Sequence, residues 1–471
     1  MEYISCLIIF SAIYVLYCCK TYIRTVCISL SLPGPTALPV LGNVLILNNP
    51  KKLEKVGTKA YQFYGPFFRC WISVIPFFFI YEPKHLKIIL AGKNSQKNVL
   101  YKLLHNFVGR GLITNNGVKW KTHRKLIQPY FHINILENYI NIFSESTKEL
   151  LSNLEEDKDI KITPVINKCI LSILHKAVLG VSLKDEMQSP YRKGEVLLTQ
   201  RITKPWLLLE TIFKYTPFAK TEEKQKLSLH RYTKNILDRR KNEAKKTTSQ
   251  SLLDMFIEIS ENNRDFTDED IINEVVTFML AGQDSVGAAV AFSLYYIARD
   301  ENIQSKIVEE LDSVFEKAKP SVATLHNLKY LEQCIKESLR LAPSVPIISR
   351  ILTEDVTLDG RTFPAGTNIF ISPFITHRLP HHYPDPLKFD PERFSQEEMD
   401  KRHPFAFIPF SMGQRNCIGY KFALLEVKIV LAGILKRFQI SIVPGHENLD
   451  LVYRATLRAS GGVWLHLTRR K

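Results

Sequence analysis

Apolar residues recur mainly at helical spacing from about residue 50 onward, with short strand-like pieces between them. Residues 101–139 and 142–154 show this periodicity, interrupted at residues 109–111 and at Pro129, where glycine and proline disfavour a continuing helix. Residues 239–251 are charged and polar, which predicts an exposed loop. The pattern therefore predicts a mainly helical body with a small β component.

One long helix is predicted in the second half of the chain. Thr267, with Asp270 three residues later, forms a capping-box pattern, and no proline appears before Pro320. A helix reaching Arg299 would be ~48 Å long, enough to cross a whole domain. Another helix is predicted over residues 418–438, before a short strand-rich tail.

The N-terminal residues 3–19 carry no charge. Such a run is at the short end of what spans a bilayer, roughly 17–25 residues. A cleaved signal peptide is the alternative, but Glu2 is the only charge upstream and no small-residue cleavage site follows. Lys20 and Arg24 come directly after the run, so the positive-inside bias places everything downstream in the cytosol. We therefore predict a retained membrane anchor over residues 1–24.

A proline-rich segment separates the predicted anchor from the body of the protein. Pro33, Pro35 and Pro39 each fix their own φ and push the preceding residue toward extended geometry. This composition predicts a stiff connector over residues 25–45 and a single globular domain over residues 46–471.

Composition and charge narrow the class of protein. The chain has 471 residues, of which 45% are hydrophobic and 23% charged, as is typical of a globular protein. Its eight cysteines include no C-x-x-C pair, which fits neither a zinc site nor a disulfide scaffold and suits a reducing compartment. The net charge of +16 is spread along the chain without a nucleic-acid-binding signature. It indicates either a dispersed basic surface or attraction to anionic lipid and an acidic protein partner.

The strongest chemical signal is a stretch that fits F-x-x-G-x-R-x-C-x-G at Phe410, Gly413, Arg415, Cys417 and Gly419. A chance match in a chain of this length is about one in ten thousand at average residue frequencies. A lone cysteine in apolar surroundings is normally a core residue, but here its neighbours indicate otherwise. The stretch resembles the haem-thiolate loop of the cytochrome P450 superfamily.

The resemblance implies that Cys417 is the axial ligand to the iron of haem b. Cys417 directly precedes the predicted helix, whose dipole and free backbone N–H groups stabilise a thiolate. Phe410 would screen the sulfur from water, and Arg415 would pair with a haem propionate. A thiolate donates electron density to the iron and favours O–O cleavage, which is the chemistry that a monooxygenase needs.

Other stretches resemble the positions at which the family holds the haem propionates. Two buried carboxylates need cationic partners, since burying them unpaired is costly. The resemblance implies that Trp120 and Arg124, in a W-x-x-x-R motif, and Arg350 serve this purpose. By itself W-x-x-x-R is a weak signal, because any exposed helix can contain it.

The same resemblance implies a structural role for a charged motif. Glu337 and Arg340, in KESLR, lie three residues apart on one helical face, which in isolation indicates an ordinary surface salt bridge. Downstream, HRLPHHYPDPLKFDPERF resembles the meander of the family and supplies Arg393. The resemblance implies that this arginine joins the pair and fixes the fold near the haem, so the three residues are structural and not catalytic.

The predicted long helix contains AGQDS, which matches the family pattern A-G-x-[DE]-[TS]. Ala281 and Gly282 are small enough to let a flat cofactor approach the backbone. The Ser285 hydroxyl can bond back to the Ala281 carbonyl and open the helix to water, and Asp284 and Ser285 would then help to deliver protons. The usual family residue is threonine, so Ser285 keeps the hydroxyl with a looser rotamer. The alternative is a stripe of small packing residues.

The residue before Gly282 predicts whether the haem is covalently attached to the chain. Many members of the branch that this chain resembles carry a glutamate there, which can esterify a haem methyl. Ala281 has no nucleophile, and Gln283 stands where a histidine is common. The haem is therefore predicted to be bound without a covalent link.

The resemblance spans residues 33–460 and is strongest to the microsomal family-four branch of animals and insects. It implies a mainly α fold with a small β-rich lobe. It also implies a monooxygenase of the endoplasmic reticulum membrane, facing the cytosol, that oxidises a hydrophobic, lipid-like substrate. Electrons would come from NADPH through NADPH–cytochrome P450 reductase, with cytochrome b5 as an optional partner. The basic side chains expected on the docking face are those of Lys119, Lys121, Lys125, Lys421, Lys428 and Lys436.

Two other functions remain open from the sequence. A haem-thiolate isomerase or dehydratase would act on a peroxidised lipid without a reductase, although the presence of Asp284 and Ser285 argues against it. A haem-based ligand sensor or carrier would show no turnover. The substrate depends on the tertiary packing of four segments expected to line the pocket, residues 101–108, 201–209, 343–348 and 454–459.

Overall fold

The computed structural model describes residues 14, 19–47, 53–183, 189–193, 204–208, 210–242, 251–316 and 318–470. Most of the predicted membrane run, residues 3–19, lies outside the described residues, as do most of the predicted loop at 239–251 and part of the predicted pocket segment at 201–209.

Helices dominate the described part of the chain. The α-helices span 19–30, Val44–Leu47, Leu53–Tyr64, Pro83–Ala91, His105–Val108, Gly117–Ile127, Ile133–Ser152, Ile162–Leu174, Glu210–Phe213, Pro217–Asn242, Leu252–Asn262, Asp268–Ile297, Glu301–Phe315, Val322–Asn327, Lys329–Leu341, Pro373–Thr376, Gln396–Lys401 and Tyr420–Arg437. A π-helical turn, His175–Leu179, extends one of them, and the 3₁₀ turns are Val99–Leu104, Gln128–Phe131, Pro190–Lys193, Pro205–Leu208, Pro391–Phe394, Pro404–Ala406 and Gly413–Arg415.

The strands form four small sheets in the described part of the chain. They are β1 (Phe67–Ile72), β2 (Ile75–Ile80), β3 (Ser95–Gln96), β4 (Lys158–Lys161), β5 (Ile348–Leu352), β6 (Val356–Leu358), β7 (Arg361–Phe363), β8 (Asn368–Ile371), β9 (Phe438–Ile442), β10 (Leu451–Tyr453), β11 (Leu457–Ala459) and β12 (Trp464–Arg469). The largest sheet has the order β1-β2-β8-β5-β3, in which only β2 and β8 run parallel, with Phe77 opposite Asn368. The other sheets are β4-β12-β9, β6-β7 and β10-β11. The predicted mainly α fold with a small β-rich lobe is confirmed.

The helix Asp268–Ile297, called the long helix below, forms the centre of the core. Its predicted capping box is confirmed, since Thr267 and Asp270 each satisfy a backbone N–H of the other. The helix is apolar around most of its circumference and is therefore buried by neighbours on several sides. The helices Ile162–Leu174, Lys329–Leu341 and Tyr420–Arg437 pack against it. We call Tyr420–Arg437 the proximal helix.

Two described helical segments are long and apolar enough to cross a bilayer, Ile162–Leu179 and Asp268–Ile297. Within the most apolar part of each, 67% and 72% of the residues are buried inside the protein. Both are core helices, and neither is the anchor predicted from residues 3–19.

Two element boundaries differ from the prediction. The helix Pro217–Asn242 continues into residues 239–242, which had been predicted to be a loop. The first described helix, 19–30, likewise continues into the predicted connector, because Pro33 is the first residue that cannot continue it. Residues 33–43 contain no helix, as predicted for a proline-rich segment.

An ion-pair cluster joins the proximal helix to the helix Lys329–Leu341. Glu332 accepts hydrogen bonds from Lys428 at 2.7 Å and from Lys336 at 2.8 Å. Burial by itself would raise the pKa of Glu332, but the Lys428 and Lys336 ammonium groups outweigh it and lower the pKa to about 2. The carboxylate therefore stabilises the folded protein in its ionised form.

We expect Glu332→Gln to lower the free energy of unfolding at neutral pH by about 1–3 kcal/mol. The folded pKa lies below the unfolded value, so the contribution is present above about pH 4.5 and is lost as the pH falls toward 2. Denaturant unfolding at pH 7 and pH 3 measures this, and the gap between wild type and variant should narrow at the lower pH. A gap of equal size at both pH values would contradict the assignment.

Candidate active site

The Cys417 loop is closed by its own backbone. The Cys417 N–H donates to the Phe410 carbonyl at 2.9 Å, and the Asn416 N–H donates to the Gly413 carbonyl at 3.1 Å. Ser411 and Gly413 have φ values of 57° and 74°, in the left-handed region that reverses the chain. These bonds form a compact turn that places Cys417 just before the proximal helix.

Gly413 lies against the end of the helix Pro83–Ala91. A Cβ added at this position would stand 1.8 Å from the Leu90 carbonyl oxygen and 3.1 Å from Ala91 Cα. Real Cβ atoms do not approach backbone so closely, and only glycine fits. The loop is thus pressed onto a helix more than 300 residues earlier in the chain.

The Cys417 side chain is accessible, although protein atoms surround it at longer range. This desolvation raises the pKa of the thiol, while the Gly419 N–H and the Arg124 and Lys97 cations act in the opposite direction. A metal cation bound to the sulfur would favour the thiolate further, because a coordinating thiol is deprotonated. An accessible cysteine with an amide donor and two nearby cations is suited to bind a metal ion.

Four cationic side chains converge beside this loop, and none of them forms an ion pair with a described carboxylate. They belong to Lys97, Arg124, Arg350 and Arg415. Arg415 lies 3.7 Å from the centre of the Trp120 ring and donates to Asn116 at 2.7 Å, while its Nη1 is buried without a hydrogen-bond partner among the described residues.

Mutual repulsion accompanies this clustering. Burial and the neighbouring Arg350 charge lower the pKa of Arg415 to about 9, and burial with the nearby Arg350 and Arg415 charges holds the pKa of Lys97 well below its usual value. Cations packed together in a low dielectric need anionic partners. The donor set therefore fits a ligand with two carboxylates.

Arg350 and Arg124 attach neighbouring elements to the loop. Arg350, which is 2% exposed, donates to the Ser349 carbonyl at 2.9 Å and to Ser411 Oγ at 3.4 Å. Arg124 donates to both the carbonyl and the side chain of Asn416, at 3.0 and 2.8 Å. The structure thus brings Trp120, Arg124, Arg350 and Arg415 together around the Cys417 loop.

Lys97 is a site residue that sequence reasoning missed. Its ammonium donates to the Ile113 carbonyl at 2.6 Å and stands 4.5 Å from the centre of the Tyr101 ring. No motif surrounds Lys97, so only the folded chain reveals that it faces the same space as the arginines.

Ser285 adopts the predicted back-bonded geometry on the long helix. Its hydroxyl donates to the Ala281 carbonyl at 2.8 Å, and its own carbonyl accepts from Ser344 Oγ at 2.7 Å. A Cβ on Gly282 would stand 3.0 Å from the Leu174 side chain, so the glycine allows close helix packing. Asp284 forms an ion pair with Arg458 of β11, a partner that the sequence did not predict.

A stacked aromatic pair connects the long helix to the Cys417 loop. The Phe131 ring stacks on Phe278 of the long helix with centroids 5.3 Å apart. Phe131 is also the closest side chain to a Cβ built on Gly419, at 3.7 Å. The Cys417 loop and the long helix therefore both lie against the Phe131 ring.

A buried hydrogen-bonded pair holds the Trp120–Arg124 helix against the long helix. His123 Nδ1 lies 2.6 Å from Glu274, whose other oxygen accepts from the Leu112 N–H at 3.0 Å. Burial raises the pKa of Glu274, and the hydrogen bonds from His123 and Leu112 oppose this effect. His123 lies within the W-x-x-x-R stretch, but nothing in the sequence indicated its partner.

Glu337, Arg340 and Arg393 meet in the interior. Arg340 forms a two-pronged contact with Glu337, at 2.7 and 2.8 Å, and both side chains are fully buried. Arg393 Nε lies 3.6 Å from Glu337, and the remaining Arg340 N–H groups donate to carbonyls of the meander. The cluster fastens the meander to the helix Lys329–Leu341.

The expected docking lysines divide into three groups. Lys428 is 3% exposed and bound to Glu332 and the Leu325 carbonyl, so its assignment to a surface was wrong. Lys119 and Lys436 are half-exposed but pair with acidic neighbours, Asp270 and Asp312. Lys121, Lys125 and Lys421 reach the surface.

These features define the class of protein. An accessible cysteine preceding a helix, with cations suited to two propionates and a helix bearing small residues nearby, fits an iron porphyrin held through a thiolate. The cytochrome P450 family model matches residues 32–462, and the chain belongs to that family of haem monooxygenases.

Curated relatives resemble the chain over nearly its whole length. "Probable cytochrome P450 4aa1" of Drosophila melanogaster is 46% identical, with 98% of this chain and 94% of the relative aligned. "Cytochrome P450 4c21" of Blattella germanica is 37% identical over 88% of this chain and 89% of its own length. "Cytochrome P450 4V2" of Homo sapiens is 34% identical over 93% and 90%. The predicted resemblance to family four is confirmed.

We expect Gly413→Ala to prevent normal haem incorporation. The added methyl group would collide with Leu90 at a left-handed position, which costs about 3 kcal/mol or more. The matched control is Gly445→Ala, since Gly445 has a similar φ of 85° but an added Cβ would have no heavy atom of the described part of the chain within 4 Å. The ratio of haem absorbance to protein absorbance after purification measures the effect. Equal haem content in the two variants would contradict the steric argument.

Proposed function

We propose that this cytochrome P450 inserts one oxygen atom from O₂ into a hydrophobic, lipid-like substrate. Electrons come from NADPH through NADPH–cytochrome P450 reductase, with cytochrome b5 as an optional donor. The observation that carries the proposal is the placement of Cys417 beside four cations that have no carboxylate partner among the described residues. The back-bonded Ser285 on the nearby long helix adds a route for protons.

The cofactor is haem b, and when bound it supplies the iron centre at which dioxygen is activated. Cys417 Sγ would hold the haem iron, and Phe410 would screen the sulfur from water. Arg350, Arg415 and Lys97 would bind the propionates, while Trp120 orients Arg415 through its ring.

Haem retention rests on these contacts without a covalent bond. Ala281 presents only a methyl group on the long helix, and so small a side chain leaves room for a flat ring beside the backbone. The catalytic domain therefore holds its cofactor by ligation, charge pairing and apolar burial.

Asp284 and Ser285 act in proton delivery. The Ser285 hydroxyl hydrogen is directed to the Ala281 carbonyl, leaving the hydroxyl oxygen able to accept a hydrogen bond from water. The Asp284 carboxylate is 28% exposed and is held by Arg458, so it connects the interior of the helix to solvent. Protons pass from solvent along Asp284 and on to Ser285 Oγ.

The reductase docks on the face that carries Lys121, Lys125 and Lys421. The first two lie on the helix Gly117–Ile127 and the third on the proximal helix, and Arg124 of the first helix binds Asn416 in the loop that precedes the second. An acidic partner bound there would lie close to the Cys417 loop. Complementary charge of this kind accelerates association and orients the partner.

The chain is anchored in the endoplasmic reticulum membrane by residues 1–24, with its catalytic domain in the cytosol. Contact between this part of the surface and lipid is supported by a set of exposed apolar residues, namely Leu38, Val40, Leu41, Leu45, Ile46, Val74 and Ile75. Two hydrogen bonds join the segments around Val40 and Val74, since Tyr22 donates to the Val74 carbonyl and Ser73 donates to the Val40 carbonyl. An exposed apolar patch next to a membrane anchor favours contact with lipid.

Cys417→Ala should abolish the red-shifted Soret band of the reduced carbon monoxide complex, because that band requires a thiolate ligand. Cys334→Ala is the control, since Cys334 is a fully buried core residue outside the loop. Absorption spectra of the reduced, carbon monoxide-treated proteins decide the question. A normal thiolate spectrum from Cys417→Ala would refute the ligand assignment.

Ser285→Ala should still bind haem and accept electrons, but it should release several-fold more hydrogen peroxide per NADPH consumed. Ser285→Thr keeps a hydroxyl and should retain coupling. Product, peroxide and NADPH are measured together with a substrate found by screening fatty acids, terpenoids and steroids. Unchanged coupling in Ser285→Ala would show that the hydroxyl is dispensable.

Acidified organic solvent should extract essentially all the haem, because it protonates the thiolate and neutralises the propionates. Denaturing electrophoresis with staining for haem provides a second measurement and should show none on the polypeptide. Ala281→Glu should convert part of the population to a covalently bound form. Haem that stays on the wild-type chain would point to an attachment residue other than Ala281.

A further inference from the structure

A cluster of three metal-ligating side chains lies away from the active site. Donor atoms of Glu82, His381 and His382 all stand within 4.8 Å of one another. Glu82 lies two residues after the end of β2 and directly precedes the helix Pro83–Ala91, whereas the two histidines come from the meander almost 300 residues later. The cluster therefore exists only in the folded chain.

A tight turn points both imidazoles to the same side. The N–H groups of His382 and Tyr383 both donate to the Leu379 carbonyl, at 3.0 and 2.9 Å. The two rings have their centroids 4.4 Å apart and are inclined by 49°. In an extended segment, adjacent side chains would point in opposite directions. The turn thus produces a paired imidazole arrangement.

The carboxylate is oriented by a neighbour on its far side. Tyr61 OH donates to Glu82 Oε1 at 3.3 Å, and Glu82 Oε2 lies 3.2 Å from His381 Nε2. The Glu82 side chain is only 17% exposed, which restricts its rotamers. The His382 ring has no hydrogen-bonding partner among the described residues. A carboxylate that binds a metal is commonly hydrogen-bonded by an outer-shell group, as Glu82 is by Tyr61, and the His382 ring keeps its nitrogens available for a metal ion.

We infer that Glu82, His381 and His382 bind a zinc ion, with water as the fourth ligand. Two imidazole nitrogens and one carboxylate oxygen form a donor set that suits Zn²⁺ better than Mg²⁺ or Ca²⁺, which prefer oxygen. Bonds of about 2.0–2.2 Å require the donors to move closer together. His381 is half-exposed and can make this movement.

The site would join two parts of the fold that both support the Cys417 loop. Glu82 begins the helix whose Leu90 carbonyl contacts the loop at Gly413, and the histidines belong to the meander that Glu337 and Arg340 hold in place. Binding to the folded state alone stabilises it, so zinc should protect this connection. The inference does not depend on the proposed oxygenation chemistry.

The full-length, haem-loaded protein without a histidine tag is stripped with a chelator and titrated with Zn²⁺. After gel filtration, elemental analysis should show about one zinc per haem iron, and saturating Zn²⁺ should raise the melting temperature by a few degrees. Mg²⁺ at the same concentration should do neither.

The variants His382→Gln and Glu82→Gln should lose both effects while keeping wild-type haem content. His326→Gln is the matched control, because His326 is an exposed histidine outside the cluster. A zinc content that both variants retain, or no stoichiometric zinc in the wild type, would overturn the site. If Glu82→Gln folds poorly, His382→Gln alone decides between these results.

Discussion

The gathering of four cations around one cysteine is the constraint on which the rest of the structure depends. Lys97, Arg124, Arg350 and Arg415 are all wholly or partly buried, and burial lowers the pKa of each. Charges of one sign repel one another strongly in a low dielectric, and anions bound at the same site offset this repulsion. A haem-thiolate supplies them in the form of a thiolate and two propionates, so the cofactor would contribute to the stability of the fold as well as to its chemistry.

The scaffold holds this unfavourable arrangement by close contacts from several directions. The helix Pro83–Ala91 presses on Gly413, Arg124 bridges to Asn416, and the His123–Glu274 pair holds the Trp120–Arg124 helix against the long helix. Behind the site, Glu337 and its two arginines fix the meander. Removing one member of such a buried network leaves its partners without their hydrogen bonds or opposite charges. The loss of folding stability therefore exceeds the energy of the removed contact alone.

Two positions on the long helix distinguish this chain from the pattern typical of its branch. Ser285 keeps the hydroxyl of the usual threonine and makes the same kind of back-bond, while Ala281 has no group that could esterify a haem. Asp284 is engaged by Arg458 on β11, a strand in a segment expected to line the pocket. The proposed proton route is therefore tied to the β-rich lobe, so that movement of this strand would alter the environment of the carboxylate.

The sequence by itself determined the class of protein, because the chemistry of the Cys417 loop is local. Gly413, Arg415 and Cys417 lie within five residues, and the helix start at Thr267 depends on a hydrogen bond across three residues, so a short motif identifies each. Membership of the cytochrome P450 family and the mainly α fold followed from such motifs.

Only the tertiary structure decided which distant residues complete the sites. Lys97 joins the cations, Arg458 binds Asp284, and Glu82 meets His381 and His382, in each case across a sequence separation that no local pattern encodes. The same reason accounts for the wrong surface assignment of Lys428. Whether a lysine on a helix faces solvent or a buried carboxylate depends on which helix packs against it, and long-range packing sets that choice.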